Sequence, residues 1–546
     1  MSSLMRNKVQ RKFKMRGYTL KIEALSEVLV YLSHFPENED LALELLLDDL
    51  HNSSLKSSIL DKESIHKVAS LLLEADEAGV DEGPSSSGYG PAVSALRIID
   101  AFDFPKYRYD SIKKLFHKYT GNLPLHGDAS AKVTLYRDRF QLLFQRLSRD
   151  PHFSRPVFGS NTSDYGSCQI SPIQSLVGQK GKRWVMGLIS QLEDGHFYLE
   201  DLTAVVEVDL SNAISFTILC NFLNTSYRIT TGFFAENTIV LAEGEMLLDG
   251  IFQVKTCGFP PLEDREKSVS TFAGIDFFGG GSLTREETLR LAEQERGSVN
   301  DMFVILSDVW LDNEEKTMGK LEIILGGYEN EDVVPSLFVF MGNFWSHPCN
   351  ISFNSHSSIR SQFGKLGKMI AAHQRLKDHS RFLFIPGPHD IGTSDVLPRC
   401  SLPKYITEEL QNHIPNAVFL SNPCRIKFYT QEIVFFRQDM LYRMRRTCLM
   451  PPSTEETSDP FEHLVATITH QSHLCPLPLS VQPIMWNYDH CLHLYPTPHT
   501  IVLGDKSEQK AFKYTGVTCF NPGSFSNDFT FVAYRPCSQE VELSAV

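Results

Sequence analysis

At 546 residues the chain exceeds what one hydrophobic core organises, and at roughly 100 to 200 residues per domain it divides into three or four. Apolar residues at 42% and charged residues at 22% exclude wholesale disorder. A formal net charge of −14 excludes a broad surface for tracking polyanions, so any such contact must be local or shared with a partner.

The chain opens on Arg6, Lys8, Arg11, Lys12, Lys14 and Arg16, with no acid before Glu23. This spacing reads first as a solvated helix face, with a mitochondrial presequence and a nuclear-import patch as the alternatives. From Tyr18 to Glu74 apolar residues recur at helical spacing: Leu25, Val28, Leu29 and Leu32, then Leu41, Leu43, Leu46 and Leu47, then Ile65, Val68, Leu71 and Leu72. A small all-α domain over residues 1–75 follows, its third helix capped by Asp61. The segment 76–92 is acidic and then Ser/Gly/Pro-rich, the composition of a flexible linker.

Residues 93–172 read as a connecting bracket. Ile98 to Lys118 is mixed, and Ala129 to Leu147 is an amphipathic helix with Leu135, Phe140, Leu143, Phe144 and Leu147 on its apolar side. The sequon at Asn161 is expected to be unused, since no signal-peptide pattern follows the N-terminus and no apolar run reaches the roughly 18 to 20 residues of a membrane span. Eleven cysteines without a C-x-x-C pair suggest reduced thiols rather than a zinc ribbon or a disulfide framework.

Over 173–270 the period changes to that of strands: Trp184 to Leu192, His196 to Glu200, Val205 to Leu210, Thr238 to Leu247 and Ile251 to Cys257. Turns fall at Glu193-Asp194-Gly195 and Asp249-Gly250. A five-strand meander of this kind resembles an OB barrel. Glu193, Asp194, Glu200, Asp201, Glu207 and Asp209 give it the wrong charge for single-strand binding. An apolar stretch, 214–228, interrupts the barrel as either an added loop element or a splicing artefact.

Residues 271–546 alternate strands and helices: Phe303 to Leu306, a helix around Lys316 to Leu325, Ser336 to Met341, a helix from Ser357 to His379, and Arg381 to Ile385. Gly279-Gly280-Gly281 reads as a turn, because no Lys-Ser/Thr follows to make a phosphate-binding loop. Polar clusters close the strands, where an α/β sheet places its site. They resemble the calcineurin-like metallophosphoesterase pattern of D-x-H, G-D, G-N-H-[DE], a lone His and G-H-x-H, in which a carboxylate bridges two divalent metals. Here the first reads Asp308-Val309-Trp310, an indole replacing the imidazole, and the second reads Gly342-Asn343, an amide replacing the bridging acid. The third reads Gly387-Pro388-His389-Asp390, so proline takes the Asn position. His473, or less favourably His470, is the candidate lone His, and the last motif reads Gly504-Asp505-Lys506-Ser507, with no imidazole at Asp505 or Ser507. Taken singly, Asp308 or His389 at a strand end is an ordinary loop cap or satisfied core residue; the ordered set points to an inactive phosphoesterase-like α/β domain that holds no metal and no cofactor.

An OB-type barrel followed by such a domain is similar to the B subunits of archaeal and eukaryotic replicative DNA polymerases. The phrases IIDAFDFPKYRYD (98–110), IDFFGG (275–280), FVILSDVWLD (303–312), SNPCRI (421–426), HLCPLPL (473–479) and NPGSF (521–525) look most like the DNA polymerase epsilon type, which the small N-terminal domain also favours. The resemblance implies a nuclear, non-catalytic scaffold subunit. Its barrel and phosphoesterase-like domain would grip the C-terminal zinc-binding domain of the catalytic subunit, and its helical domain would reach the replicative helicase through GINS, with DNA contacted inside the complex and no membrane involved. The competing readings are a residual metal-dependent phosphoesterase or nuclease using Asp308, His389 and His473, and a single-strand-binding barrel.

Overall fold

A computed structural model describes Arg6, Val9, residues 11–14, 18–33, 43, 46, 59–60, 62 and 65, then 95–154, 169–211, 214–215, 232–348, 353–392, 395–452 and 457–546. Residues 1–92 and 93–546 form two compact units.

In the first unit the helix Ile22–Ser33 buries Val28, Leu29 and Leu32, which the helical spacing marked as core. They pack with Val9, Phe13, Leu43 and Leu46. Arg6, Arg11 and Lys14 are exposed beside buried Val9 and Phe13, the solvated-face reading of the basic stretch. The all-α expectation needs one correction: Thr19–Leu20 pairs in parallel with Ile59–Leu60. Asp61, the linker 76–92 and the Asn161 sequon lie outside the described residues.

In the second unit, five strands close a barrel. Arg183–Glu193 pairs with His196–Glu200, which pairs with Val205–Asp209, and Ile239–Met246 returns to pair with both Arg183–Glu193 and Phe252–Gly258. The parallel contact of Phe252 with Val208 closes the ring, giving the order 1-2-3-5-4-1 of an OB barrel. Alternate residues Val185, Ile189, Val206, Val208, Val240 and Val254 fill its interior. The 214–228 insert is corrected at its start, because Ile214–Ser215 pairs with Thr256 and Cys257 and so belongs to the sheet. Residues 216–231 lie outside the described set.

Two six-stranded sheets stacked face to face make the rest. The first runs 417–419, 381–385, 337–341, 303–307, 530–535, 540–545; the second runs 510–514, 517–521, 500–504, 431–437, 424–428, 96–100. Their inner strands, such as 303–307, 337–341 and 500–504, are buried on both faces, which is why they read as continuous apolar runs. Phe303, Ile305, Val339 and Ile385 point into the space between the sheets, meeting Ile426, Phe435 and Val502. The alternate residues Val304, Phe340 and Phe384 face outward under the helices Gly319–Glu329, Phe353–Ala372 and Lys404–His413. The outer face of the second sheet, with Val434, Phe436 and Ile501, is covered by Pro460–Gln471. The result is four layers, helix, sheet, sheet, helix.

The bracket is not a separate connector. Leu96–Asp100 is an edge strand of the second sheet, antiparallel to Cys424–Phe428. The helix Ala129–Leu147, capped by Asp128, packs Phe140, Leu143 and Leu147 on the barrel residues Met186, Ile239 and Leu241. Its Leu142 packs with Phe116, Phe272 and Tyr495. Phe144, expected on the apolar side, is exposed, and Leu142 is buried in its place. The expected single helix from Ser357 to His379 is two, Phe353–Ala372 and Gln374–His379, parted at His373, whose ring bonds Glu329 at 2.7 Å. Gly279, Gly280 and Gly281 all take positive φ, as a turn requires, and a Cβ on Gly279 would crowd Ile99 and Pro105 at 3.2 Å.

Candidate functional site

Parallel strands of both sheets end on one side, and the polar clusters meet there. Asp308 follows the strand Phe303–Ser307 with φ at +57°, its N–H donating to Met341 O and its own carbonyl accepting from Ser526. Asp tolerates this left-handed geometry better than most residues. Its carboxylate is completely buried and fully engaged. Oδ1 accepts from Asn343 N and Nδ2, both at 3.2 Å, and Oδ2 accepts from Ser524 Oγ at 3.1 Å.

The remaining partner of Asp308 is a cation belonging to the chain. Arg437, last residue of the strand Gln431–Arg437, lies fully buried with Nη2 2.7 Å from Asp308 Oδ1 and Nη1 2.8 Å from Asp439 Oδ1. Nη1 also donates to Gly504 O at 3.1 Å, and Nε donates to Gly342 O. Burial alone would lower the guanidinium pKa, but Asp308 and Asp439 outweigh it and the pKa is raised. Space is made by glycine: a Cβ on Gly504 would stand 2.9 Å from Arg437 Cδ.

Around this ion cluster the other positions serve as loop staples. Asn343 Oδ1 accepts from His389 N at 2.9 Å. Asp390 accepts from Phe344 N at 2.6 Å and Gly387 N at 2.8 Å, clamping two strand-end loops, while burial pushes its pKa up to about 6. Pro388 O accepts from Arg399 Nη1 at 3.0 Å. Burial and the neighbouring Lys506 depress the His389 imidazole, leaving it neutral near pH 7. Trp310 donates its backbone N–H to Ser526 Oγ at 2.7 Å. Asp505 accepts from Leu441 N and Ser507 N, both at 2.9 Å, and Ser507 O accepts from Asn521 Nδ2 at 3.0 Å.

His473 lies in a different polar knot. Its Nδ1 accepts from Cys475 N at 3.0 Å, so the proton sits on Nε2, which donates to Asp489 Oδ1 at 3.2 Å. Asp489 also accepts from His493 Nε2 at 3.1 Å and from both Nε and Nη2 of Arg139. His470 bonds Pro260 O and Tyr514 OH instead.

In both clusters the carboxylates are already paired with a buried arginine. Around Asp308 a guanidinium already neutralises the carboxylates, and Asn343 turns its N–H groups, not its oxygen, toward Asp308. His473, Asp489 and His493 bring ligand atoms within 4.8 Å of one another, but Arg139 saturates Asp489 with positive charge, and the nitrogen of His473 nearest it carries a proton. Sequence reasoning missed Arg437, Asp439, Arg139 and Asp489. One signal was present for Arg437: a charged residue ending the apolar run Ile433 to Phe436, at the strand end where this fold puts its site.

With this geometry in view, the comparisons decide the family. A curated relative, the B subunit of DNA polymerase epsilon from Arabidopsis thaliana, is 63% identical over 546 residues, covering 100% of this chain and 99% of that one. The chain belongs to the family of DNA polymerase epsilon B subunits. The human DNA polymerase epsilon subunit 2 is 36% identical, with 99% of this chain and 98% of the other covered, and the epsilon B subunit of Schizosaccharomyces pombe is 32% identical over 79% of this chain and 72% of its own. Residues 303–513 match the profile of the DNA polymerase alpha/epsilon B subunits. Residues 129–261 match the one for the OB-fold domain of DNA polymerase epsilon subunit 2-like proteins, which takes in the Ala129–Leu147 helix along with the barrel. A solved archaeal phosphodiesterase aligns with 45% of this chain and 99% of its own at 8% identity, with a TM-score of 0.24.

Proposed function

We propose that this chain is a non-catalytic scaffold subunit of a nuclear DNA polymerase epsilon complex. Family membership supports a subunit role in DNA replication. One observation carries the non-catalytic part: Arg437 holds Asp308 and Asp439 at 2.7 and 2.8 Å, so a fixed side-chain cation stands among the residues that would have to hold metal. A guanidinium supplies charge and hydrogen bonds but cannot generate a metal-bound hydroxide. Trp310, Asn343 and Pro388 in place of ligands point the same way.

The barrel and the four-layer domain, joined by the Ala129–Leu147 helix, bind the C-terminal zinc-binding domain of the catalytic subunit. The N-terminal unit reaches the replicative helicase through GINS. Co-expression with the catalytic subunit is expected to give a stable complex at micromolar concentration, and GINS is expected to be retained by the full chain and lost on deletion of 1–75. Metal analysis of the purified chain is expected to find no stoichiometric manganese or zinc. A manganese-dependent phosphodiesterase activity abolished by His389→Ala would overturn the scaffold reading in favour of residual catalysis.

A further inference from the structure

A cleft of about 840 Å³ opens beside the Arg437 cluster, lined by Tyr442, Arg445, Arg446 and Lys506 together with Asp439 and Asp505. Its charges are not equivalent. Asp439 is committed to Arg437 at 2.8 Å, and it also accepts from Lys506 N at 3.2 Å. Asp505 is buried, with both oxygens held by backbone N–H groups, and its pKa is raised by that burial. Arg445 and Arg446, by contrast, are exposed on the helix Met440–Thr447, and among the described residues neither pairs with an acid. Arg446 donates to Tyr442 OH at 3.1 Å, fixing an aromatic ring that is 65% exposed on the same wall. Lys506 adds a cation 40% exposed, 3.8 Å from Asp439.

The cleft therefore presents cations and a tethered aromatic face on a chain whose net charge is −14. Long-range attraction of a polyanion is absent, so the local arrangement must supply recognition. Two arginines and a lysine lining one cleft supply the charge that phosphates of a phosphodiester backbone pair with, and an exposed tyrosine offers a stacking platform that an acidic peptide does not use.

We propose that this cleft binds single-stranded nucleic acid by its backbone, with one base stacked on Tyr442, as a function separate from scaffolding and distinct from the barrel. Nothing is cleaved; the strand is held.

The test is fluorescence anisotropy of the full chain with a labelled oligothymidylate of about 20 nucleotides, titrated with salt. Binding is expected to weaken steeply with salt, and Arg445→Glu with Arg446→Glu to lower affinity at least about tenfold, the salt slope falling by roughly one per lost cation. Tyr442→Ala is expected to lower affinity about fivefold while leaving the salt slope unchanged. Co-purification with the catalytic subunit is expected to survive all three substitutions, which separates failure of this site from failure of the scaffold reading. Unchanged affinity in the double variant, with an unchanged melting temperature, would assign any binding elsewhere and overturn the proposal. So would polyglutamate of equal charge binding as tightly as the oligonucleotide with no effect of Tyr442→Ala.

Discussion

At the scale of single residues the polar cluster at the strand ends is decided by Arg437. Its guanidinium is fully buried between Asp308 and Asp439, so removing it strands two carboxylates in a low-dielectric interior. Arg437→Met is expected to cost about 3 to 5 kcal/mol of stability, read as a lowered urea midpoint. Adding Asp308→Asn should recover part of that loss, because it removes one of the uncompensated charges. A cost below about 1 kcal/mol would mean that the pair contributes little and that the cluster is held by its neutral hydrogen bonds. This residue also marks the limit of what the sequence tells. Trp310, Asn343 and Pro388 are visible as departures because a pattern says what should stand there. A compensating arginine has no place in that pattern, and it arrives from the second sheet, far along the chain. His473 illustrates the reverse: its place in the order of motifs suggested one neighbourhood, while burial beside Asp489 and Arg139 gives it another.

At the scale of elements, the outer layer over the second sheet and the end of its inner strand 500–504 keep imidazoles neutral. Burial, the largest cause in each case, lowers His470 and His499 to about 4 and His473 and His490 to about 3. In the unfolded chain these groups titrate near 6.5, so between those limits the unfolded state binds more protons. The stabilisation is complete above about pH 6.5 and is lost as the pH falls toward the folded values, each imidazole adding up to about 1.4 kcal/mol per pH unit. Urea midpoints are expected to drop markedly between about pH 7.5 and 5, and His470→Gln to reduce the protons taken up on unfolding by about one. A midpoint flat across that range would contradict the burial of these rings. The strand Leu96–Asp100 is a second element whose role depends on distant pairing. Ile99 is buried against the outer core of the second sheet, and Ile99→Ala is expected to cost about 2 to 5 kcal/mol by calorimetry or urea melts. The sequence left Ile98 and Ile99 in a stretch of mixed character, so the strand itself was not legible. Nor was its partner Cys424–Phe428, since pairing across so long a sequence separation leaves no periodic trace. The barrel hairpins 183–200 and 239–258 were legible for the opposite reason: in each, a strand pairs with its sequence neighbour through a short turn that contains Gly.

At the scale of the whole second unit, the question is whether barrel and sandwich unfold together. The helix Ala129–Leu147 joins them through charge as well as packing: Arg139 grips Asp489, while Arg146 bonds Ser472 Oγ at 2.6 Å and His470 O at 2.7 Å. Gln471 reaches the barrel directly, accepting from Ile239 N at 2.9 Å and donating to Ile239 O at 2.7 Å. Phe234–Ala235 pairs with Cys448–Met450, so a strand connected to the barrel is completed by the sandwich. These links predict one cooperative unit, in which amides of the barrel strand Arg183–Glu193 and of the sandwich strand Cys424–Phe428 lose protection at the same denaturant concentration. Arg139→Ala leaves Asp489 buried with only two histidines for partners. It is expected to cost about 3 to 5 kcal/mol, and to separate the two sets of amides in hydrogen-exchange mass spectrometry, the barrel opening first because it buries the smaller core. If both sets still exchange together in Arg139→Ala, packing of Phe140, Leu143 and Leu147 on the barrel is sufficient for cooperativity, and the Arg139–Asp489 pair serves only to satisfy its own burial.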